Sequence, residues 1–327
     1  SGASISAEVV SVVFIVVQAV VMAIDEIKKT DVIFFIRKLL LRYKDIQFNF
    51  IFNITKTKNH LSMKTFSISI LSAFLLLSSC NVKSDGGFPF NMTPKEGTGI
   101  IKSKTYNLSF DEIKVAQSIN AEVVKSNEEK VVVTAPADIL EDILVENNNG
   151  ELYIHFKPNL NISARNVAVK IFAKDFSSIK ASSSATIKIK DTFTQDATTI
   201  AASSSGSVQG NIEANNLTID VSSSGTYWGK IWAVNLNSQV SSSGNIIISG
   251  KTKNVAMKSS SSGTLDANNV VAENAEVSAS SSGNISLSVS NQLNAAASSS
   301  GTIAIYRKGN LNVISQKESS GGSVSIQ

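Results

Sequence analysis

Cysteine and histidine are nearly missing from this chain: its 327 residues hold one cysteine, Cys80, and two histidines, His60 and His155. A single thiol excludes an internal disulfide framework and any cysteine-rich zinc site. Two imidazoles leave little material for histidine-based catalysis, so no metal or cofactor is expected. Aromatic residues are only 7% of the chain, and the four prolines (Pro89, Pro94, Pro136, Pro158) all precede residue 159. The second half therefore has nothing to interrupt extended backbone. A net charge of +4 and a pI near 9.0 suggest nucleic acid, but the distribution removes that reading. Residues 1–79 hold nine basic and five acidic residues, and residues 80–327 hold 21 of each. The main body is neutral, and no nucleic-acid partner is implied. No P-loop, dinucleotide fingerprint or GxSxG elbow occurs.

The chain starts at Ser1 rather than Met, as a fragment or a processed product would. Val9 to Ile24 is an uncharged run of 16 residues, just short of the ~17–25 expected of a membrane span. Phe34 to Lys44 (FFIRKLLLRYK) is amphipathic and basic. Residues 1–62 are either a membrane-associated element or upstream sequence translated by mistake, and the residues after Met63 favour the second reading. Lys64 gives a short positive start, Phe66 to Leu77 a 12-residue apolar stretch, and Ser78, Ser79 and Cys80 close it. That is signal-peptide anatomy over residues 63–79. Leu77-Ser78-Ser79-Cys80 resembles the bacterial lipobox, in which small residues admit the peptidase and the thiol takes a diacylglyceryl group. Acyl chains contribute about 0.8 kcal/mol per buried methylene, so Cys80 is the expected membrane anchor. Asn81, not Asp, follows the cysteine, which favours the outer membrane, at the cell surface or on the periplasmic face. Residues 80–99, with Gly86, Gly87, Pro89, Pro94, Gly97 and Gly99, read as a tether.

From about residue 182 the sequence repeats. The tetrapeptide SSSG, or a close variant, places glycines at 206, 225, 244, 263, 283, 301 and 321, with steps of 19, 19, 19, 20, 18 and 20 residues. Counted from the glycine, apolar residues recur eight before (Leu217, Leu236, Val255, Leu293), four before (Val221, Val240, Ala279, Ala297) and two after (Val208, Tyr227, Ile246, Leu265, Ile285, Ile303). Period two means strands with one buried face, and a period this short suits one coil of a β-solenoid. Asn216, Asn235, Asn254 and Asn274, nine before the glycine, predict an asparagine ladder. The same parity turns the middle serines (Ser204, Ser223, Ser242, Ser261, Ser281, Ser299) inward and their neighbours outward. The glycine then permits a sharp bend or a thin core.

Residues 100–181 lack the tetrapeptide but stay strand-like, as in Lys130–Thr134 (KVVVT), Glu151–Lys157 (ELYIHFK) and Asn166–Phe172 (NVAVKIF). Asp138–Asp142 reads as a short helical turn and Asn147–Gly150 as a hairpin turn. The expected architecture is all-β: a single β-solenoid over residues 100–327 with ~19-residue coils and an irregular N-terminal β cap. The stretch from Phe110 (FDEIKVAQSINAEVV), the NNNGELYIHFKPN turn and strand, and FSSIKAS followed by SSSG coils resemble the head GIN domain, the "putative auto-transporter adhesin" family of Gram-negative envelope proteins. The resemblance covers about residues 105–327. It implies a solenoid-like fold and an envelope setting, and it brings neither a ligand nor catalytic residues.

A parallel β-helix invites comparison with polysaccharide lyases, whose sites cluster carboxylates and a basic residue on one face. Here the acids of the coils (Asp191, Asp196, Glu213, Asp220, Asp266, Glu273, Glu276, Glu318) fall at scattered phases of the repeat. The serines have no histidine beside them to make a nucleophile, and His155 reads as a surface imidazole. A lyase or hydrolase is therefore the weaker alternative. Two features are candidates for binding. Thr226–Trp232 holds both tryptophans, Trp228 and Trp232, and exposed indoles stack on sugars or partner chains; the plainer reading has Trp232 in the core and Trp228 over an edge. The flanking serines, such as Ser222, Ser224, Ser241 and Ser243, would form a hydroxyl lattice with rows about 4.8 Å apart, suited to a glycan and less so to ice. The expected function is a non-catalytic, lipid-anchored envelope module that binds glycan or protein. The alternative is a structural or sensing module facing other envelope proteins.

Overall fold

The computed structural model describes residues 94–327. Cys80, residues 1–62, the expected signal peptide and most of the expected tether lie outside the described residues. Residues Lys95–Gly99, at the tether's end, are tied to the domain. Lys95 bridges Ile162, and the Asp138 carboxylate accepts the Thr98 and Gly99 N–H groups at 3.1 and 3.0 Å.

The repeat region climbs one rung at a time in parallel register. Its strands are β8 (Ser178–Ala181), β9 (Thr186–Ile189), β10 (Phe193–Ala202), β11 (Ser207–Gln209), β12 (Ile212–Val221), β13 (Thr226–Val240), β14 (Asn245–Ser259), β15 (Thr264–Ala279), β16 (Asn284–Ala297), β17 (Thr302–Arg307), β18 (Asn312–Glu318) and β19 (Ser323–Ile326). Stacked rungs make a β-solenoid of about 8 turns. Between β12 and β13 the register Ile212↔Ile231, Leu217↔Leu236 and Val221↔Val240 is the 19-residue period itself. Alternation of buried and exposed residues breaks at Gly210-Asn211 and again at Asn215-Asn216, where the chain rounds corners. Each rung thus has three faces: a short one after the serine turn (Thr226–Trp228), a second (Ile231–Ala233), and a long third (Asn235–Val240).

Like residues fall into columns because each rung supplies the hydrogen-bonding edge of the next. One inward column runs Val208, Tyr227, Ile246, Leu265, Ile285, Ile303, all buried. Another runs Ala181, Ala202, Val221, Val240, Ser259, Ala279 and Ala297, with small residues at both ends. Full burial pushes the Tyr227 hydroxyl's pKa well above its ordinary value, and it donates to the Gly210 carbonyl at 3.1 Å.

The serine turn corrects the expected parity. Ser204, Ser223, Ser242, Ser261, Ser281 and Ser299 are exposed, not inward. The first serine's carbonyl accepts the glycine N–H, as in Gly225 to Ser222 at 2.8 Å, and both central serines take positive φ, 49° for Ser223 and 60° for Ser224. Two central residues at φ > 0 mark a type I′ turn. Strand alternation holds only for extended residues, so it does not carry through this turn. The glycine is needed for closeness, not for φ: a Cβ on Gly225 would sit 2.3 Å from the Ala202 carbonyl oxygen of the rung below. In the last turn that place belongs to Gly322, whose N–H bonds to Ser319, while Gly321 takes a central position at φ 75°.

The N-terminal region is both first rung and cap. The strands are β1 (Ile101–Asn107), β2 (Glu112–Val115), β3 (Asn120–Lys125), β4 (Lys130–Pro136), β5 (Ile143–Asn148), β6 (Glu151–Phe156) and β7 (Ala168–Ala173). β2 and β3, joined by a turn with Gln117 and Ser118 at positive φ, lie directly below β8 and β9. β6 and β7 pair in parallel beneath them. Then direction reverses: β5 runs antiparallel to β6, β4 to β7 and β1 to β4. Antiparallel strands end the parallel stacking and cover its edge. The expected helical turn is a 3₁₀ turn at Leu140–Asp142, and the expected hairpin has Asn149 and Gly150 at positive φ.

Candidate functional site

The long third face is hollowed along its outward side chains. Its outward columns are the asparagine ladder, then Thr218-Asn237-Ala256-Glu276, then Asp220-Gln239-Lys258-Ser278, and last the first serines of each turn. Two adjoining depressions of about 470 and 670 Å³ run along it and share Gln239, Lys258 and Ser278. The ladder forms one wall. Asn235 donates through Nδ2 to Asn216 Oδ1 at 2.9 Å, Asn254 to Asn235 at 3.0 Å, and Asn274 to Asn254 at 2.9 Å. Asn291, rather than the Gln292 of the same register, carries it one rung further at 2.9 Å. Asn235, Asn254, Asn274 and Asn291 each spend one N–H inside the ladder, while Asn216 only accepts, so every amide keeps spare hydrogen-bonding capacity. Asp220 is exposed by area, yet the groove walls desolvate its carboxyl and push its pKa up. Its register partners, Ala201 below and Gln239 above, are both uncharged.

The sequence-derived residues divide. Ser222 and Ser241 are half-buried and edge the groove, whereas Ser224 and Ser243 stand exposed on the turn tips. The tips therefore present two serines per rung, the expected one and its middle neighbour, with backbone bonds such as Ser224 N–H to the Ser242 carbonyl at 3.0 Å linking them. Trp232 does not fill the core: it is 47% exposed, and Trp228 is 46% exposed. Buried Tyr227 and Ile231 hold the inward positions instead. Neither indole joins the groove. Trp228 lies across the serine turn on the first face, one rung below exposed Ile247, and Trp232 lies past the next corner on the second.

One charged cluster escaped the sequence, because its Lys180 lies 29 and 68 residues from the two glutamates it joins. Glu112 and Glu151 occupy neighbouring rungs, and the Lys180 ammonium donates to them at 2.6 and 3.0 Å. Lys114 adds a contact to Glu151 at 3.6 Å. Hydrogen bonding to Glu112 raises the Lys180 pKa, and bonding from Lys180 lowers that of Glu151. An ammonium held protonated is a poor general base, so this square neutralises itself rather than forming a lyase-like site. His155 is buried, contrary to the expected surface position. Its Nδ1 is 2.8 Å from the Phe156 carbonyl oxygen, and its ring stacks on Tyr153 at 4.0 Å. Among the described residues no group of three His, Cys, Asp or Glu is placed to hold a metal ion.

The columned rungs, the serine turns and the antiparallel cap agree with a family model, "Putative auto-transporter adhesin, head GIN domain", which matches residues 109–309. The chain belongs to this family. Solved structures share the fold. A putative adhesin from Parabacteroides distasonis is 23% identical with a TM-score of 0.63, covering 71% of this chain and 99% of its own. A putative lipid binding protein from the same organism is 22% identical with a TM-score of 0.62, covering 72% and 100%. A putative adhesin from Parabacteroides merdae is 17% identical with a TM-score of 0.62, covering 71% and 98%. No curated protein matches the sequence. At these identities the likeness is one of fold, and the adhesin-head family leaves the ligand-bearing surface to be argued from this chain's own faces.

Proposed function

We propose that this adhesin-head chain is a non-catalytic envelope module, anchored through a lipidated Cys80, that holds an extended glycan along its hollowed third face. The observation that carries the reading is the groove itself. Asn, Thr, Gln and Ser recur on successive rungs about 4.8 Å apart, with only Asp220, Lys258 and Glu276 charged among its central columns. Uncharged donors and acceptors on a rigid support suit a polyol, and rigidity spares the ordering entropy that weakens flexible binders. The family's adhesin name, and that of two of the three fold neighbours above, support the adhesin part of this reading.

The test is a glycan array probed with the full-length, membrane-extracted protein. Gln239→Trp, which fills the groove from an exposed position, should abolish binding to any glycan the unsubstituted protein retains, with an unchanged far-UV spectrum. Retained binding in that variant would move the site off this face. The intact mass of the extracted protein should show a chain starting at Cys80 with acyl groups, and Cys80→Ser should release it from the membrane. The periplasmic alternative has its own signature, since protease added to intact cells would then leave the domain uncut.

A further inference from the structure

A second concavity lies at the corner between the second and third faces of the lower rungs. It shares no lining residue with the groove. About 480 Å³ in volume, it is bordered by Trp232 and by Asp111, Asp175, Asp196 and Asn215, with Phe176 behind them. Asp111 precedes β2, Asp175 precedes β8, Asp196 lies in β10, Asn215 in β12 and Trp232 in β13, so successive rungs assemble it.

The charge at this corner is uncompensated. No lysine or arginine lines the cleft, and among the described residues none of its three aspartates is ion-paired. Asp196 Oδ1 accepts from Asn215 Nδ2 at 3.0 Å, and Asp111 Oδ2 accepts from Ser177 Oγ at 2.5 Å. Each of these carboxylates keeps its other oxygen for a ligand. Lys251 follows Trp232 on the next rung but lies outside the lining. Carboxylates without cations beside an open indole face complement a ligand carrying both a positive nitrogen and a stackable ring. A peptide fits less well, because backbone groups here are paired between rungs and no strand edge is free for it to join.

We propose that this corner cleft binds an amino sugar with a free amine, its pyranose face on Trp232 and its ammonium among Asp175, Asp196 and Asp111. The site is independent of the groove, so either can fail without the other. The test uses the full-length protein carrying Trp228→Phe, which leaves Trp232 as its single indole. Glucosamine oligomers and their fully N-acetylated counterparts of equal length are the probes. The free-amine oligomer should quench Trp232 emission saturably and bind about tenfold or more tightly than the acetylated one. Asp175→Asn combined with Asp196→Asn should remove that preference while leaving the far-UV spectrum intact. Equal binding of both oligomers, or a preference that survives the double substitution, overturns the ammonium assignment. A lysine tripeptide binding as tightly as the amino sugar overturns the sugar class, and the absence of any saturable quench overturns the site. Calorimetry on the unsubstituted chain repeats the comparison without relying on the Trp228 variant.

Discussion

Serine and glycine divide the work at every turn, and the division decides what substitutions do. Serines adopt the left-handed backbone, which costs a non-glycine residue about 1–2 kcal/mol, while the glycine sits where backbone meets backbone. Gly225→Ala should therefore destabilise the protein by about 1–3 kcal/mol through overpacking, since the new Cβ would meet the Ala202 carbonyl. Replacing Ser223-Ser224 by Asn-Gly, the preferred type I′ pair, should move the urea midpoint the other way. Ser238 is a different case: it is fully buried between Ile219 and Met257 in its column, and its hydroxyl has no partner among the described residues. Ser238→Ala should raise stability by about 1 kcal/mol, measured as a higher urea midpoint with an unchanged m-value; a lower midpoint would show that the hydroxyl is satisfied. The outward turn of the middle serines was not legible in the sequence. Strand alternation predicts side-chain direction only while the chain stays extended, and four residues of Ser and Gly carry no apolar mark to say where extension stops.

Among the elements, the cap adds charged surface contacts to apolar core residues of its own. Lys95 donates to the Asp142 carboxylate at 3.0 Å and Lys157 donates to it at 3.3 Å, lowering the Asp142 pKa; the Thr98 and Gly99 N–H groups lower that of Asp138. A carboxylate whose folded pKa is depressed contributes stability above its unfolded pKa, here near 3.8, and loses it as pH falls through the lower folded value. Amide protection in β1 and β4, taken relative to the intrinsic exchange rate at each pH, should therefore fall below about pH 4, before protection in β13 to β15 changes. Asp142→Asn should remove part of that acid sensitivity. If β1 and β14 lose protection together, the cap is not a separately titrating element. The strands of this region, its hairpin and its 3₁₀ turn were legible from propensity and turn residues. Its pairing was not: the 52 residues 126–177 separate the first rung from the second, and contacts across such a loop leave no local pattern.

At the scale of the whole molecule, stability is the sum of rungs and their nearest-neighbour interfaces. Deleting Thr226–Gly244, one full 19-residue step between Gly225 and Asn245, should leave a folded solenoid. The remaining rungs would still meet in register, Thr226 being paired with Asn245. Its far-UV spectrum should stay β-type and its urea m-value fall roughly with the area lost; a deletion of ten residues instead should unfold it by throwing corners and buried faces out of register. Survival of the ten-residue deletion with the same spectrum would show that the columns do not set the register.

Order of residues alone dictated the repeat, the strand phase, the asparagine ladder and the family, because a column is one position copied every 19 residues. Folding decided where the surfaces point. Which face is hollowed, that Trp228 and Trp232 leave the core on different sides, and that Asp111, Asp175, Asp196 and Trp232 share one corner all depend on how the chain rounds its turns. Corners change the direction of a side chain without changing the periodicity that sequence displays, and so the ligand-facing geometry exists only once the rungs are stacked.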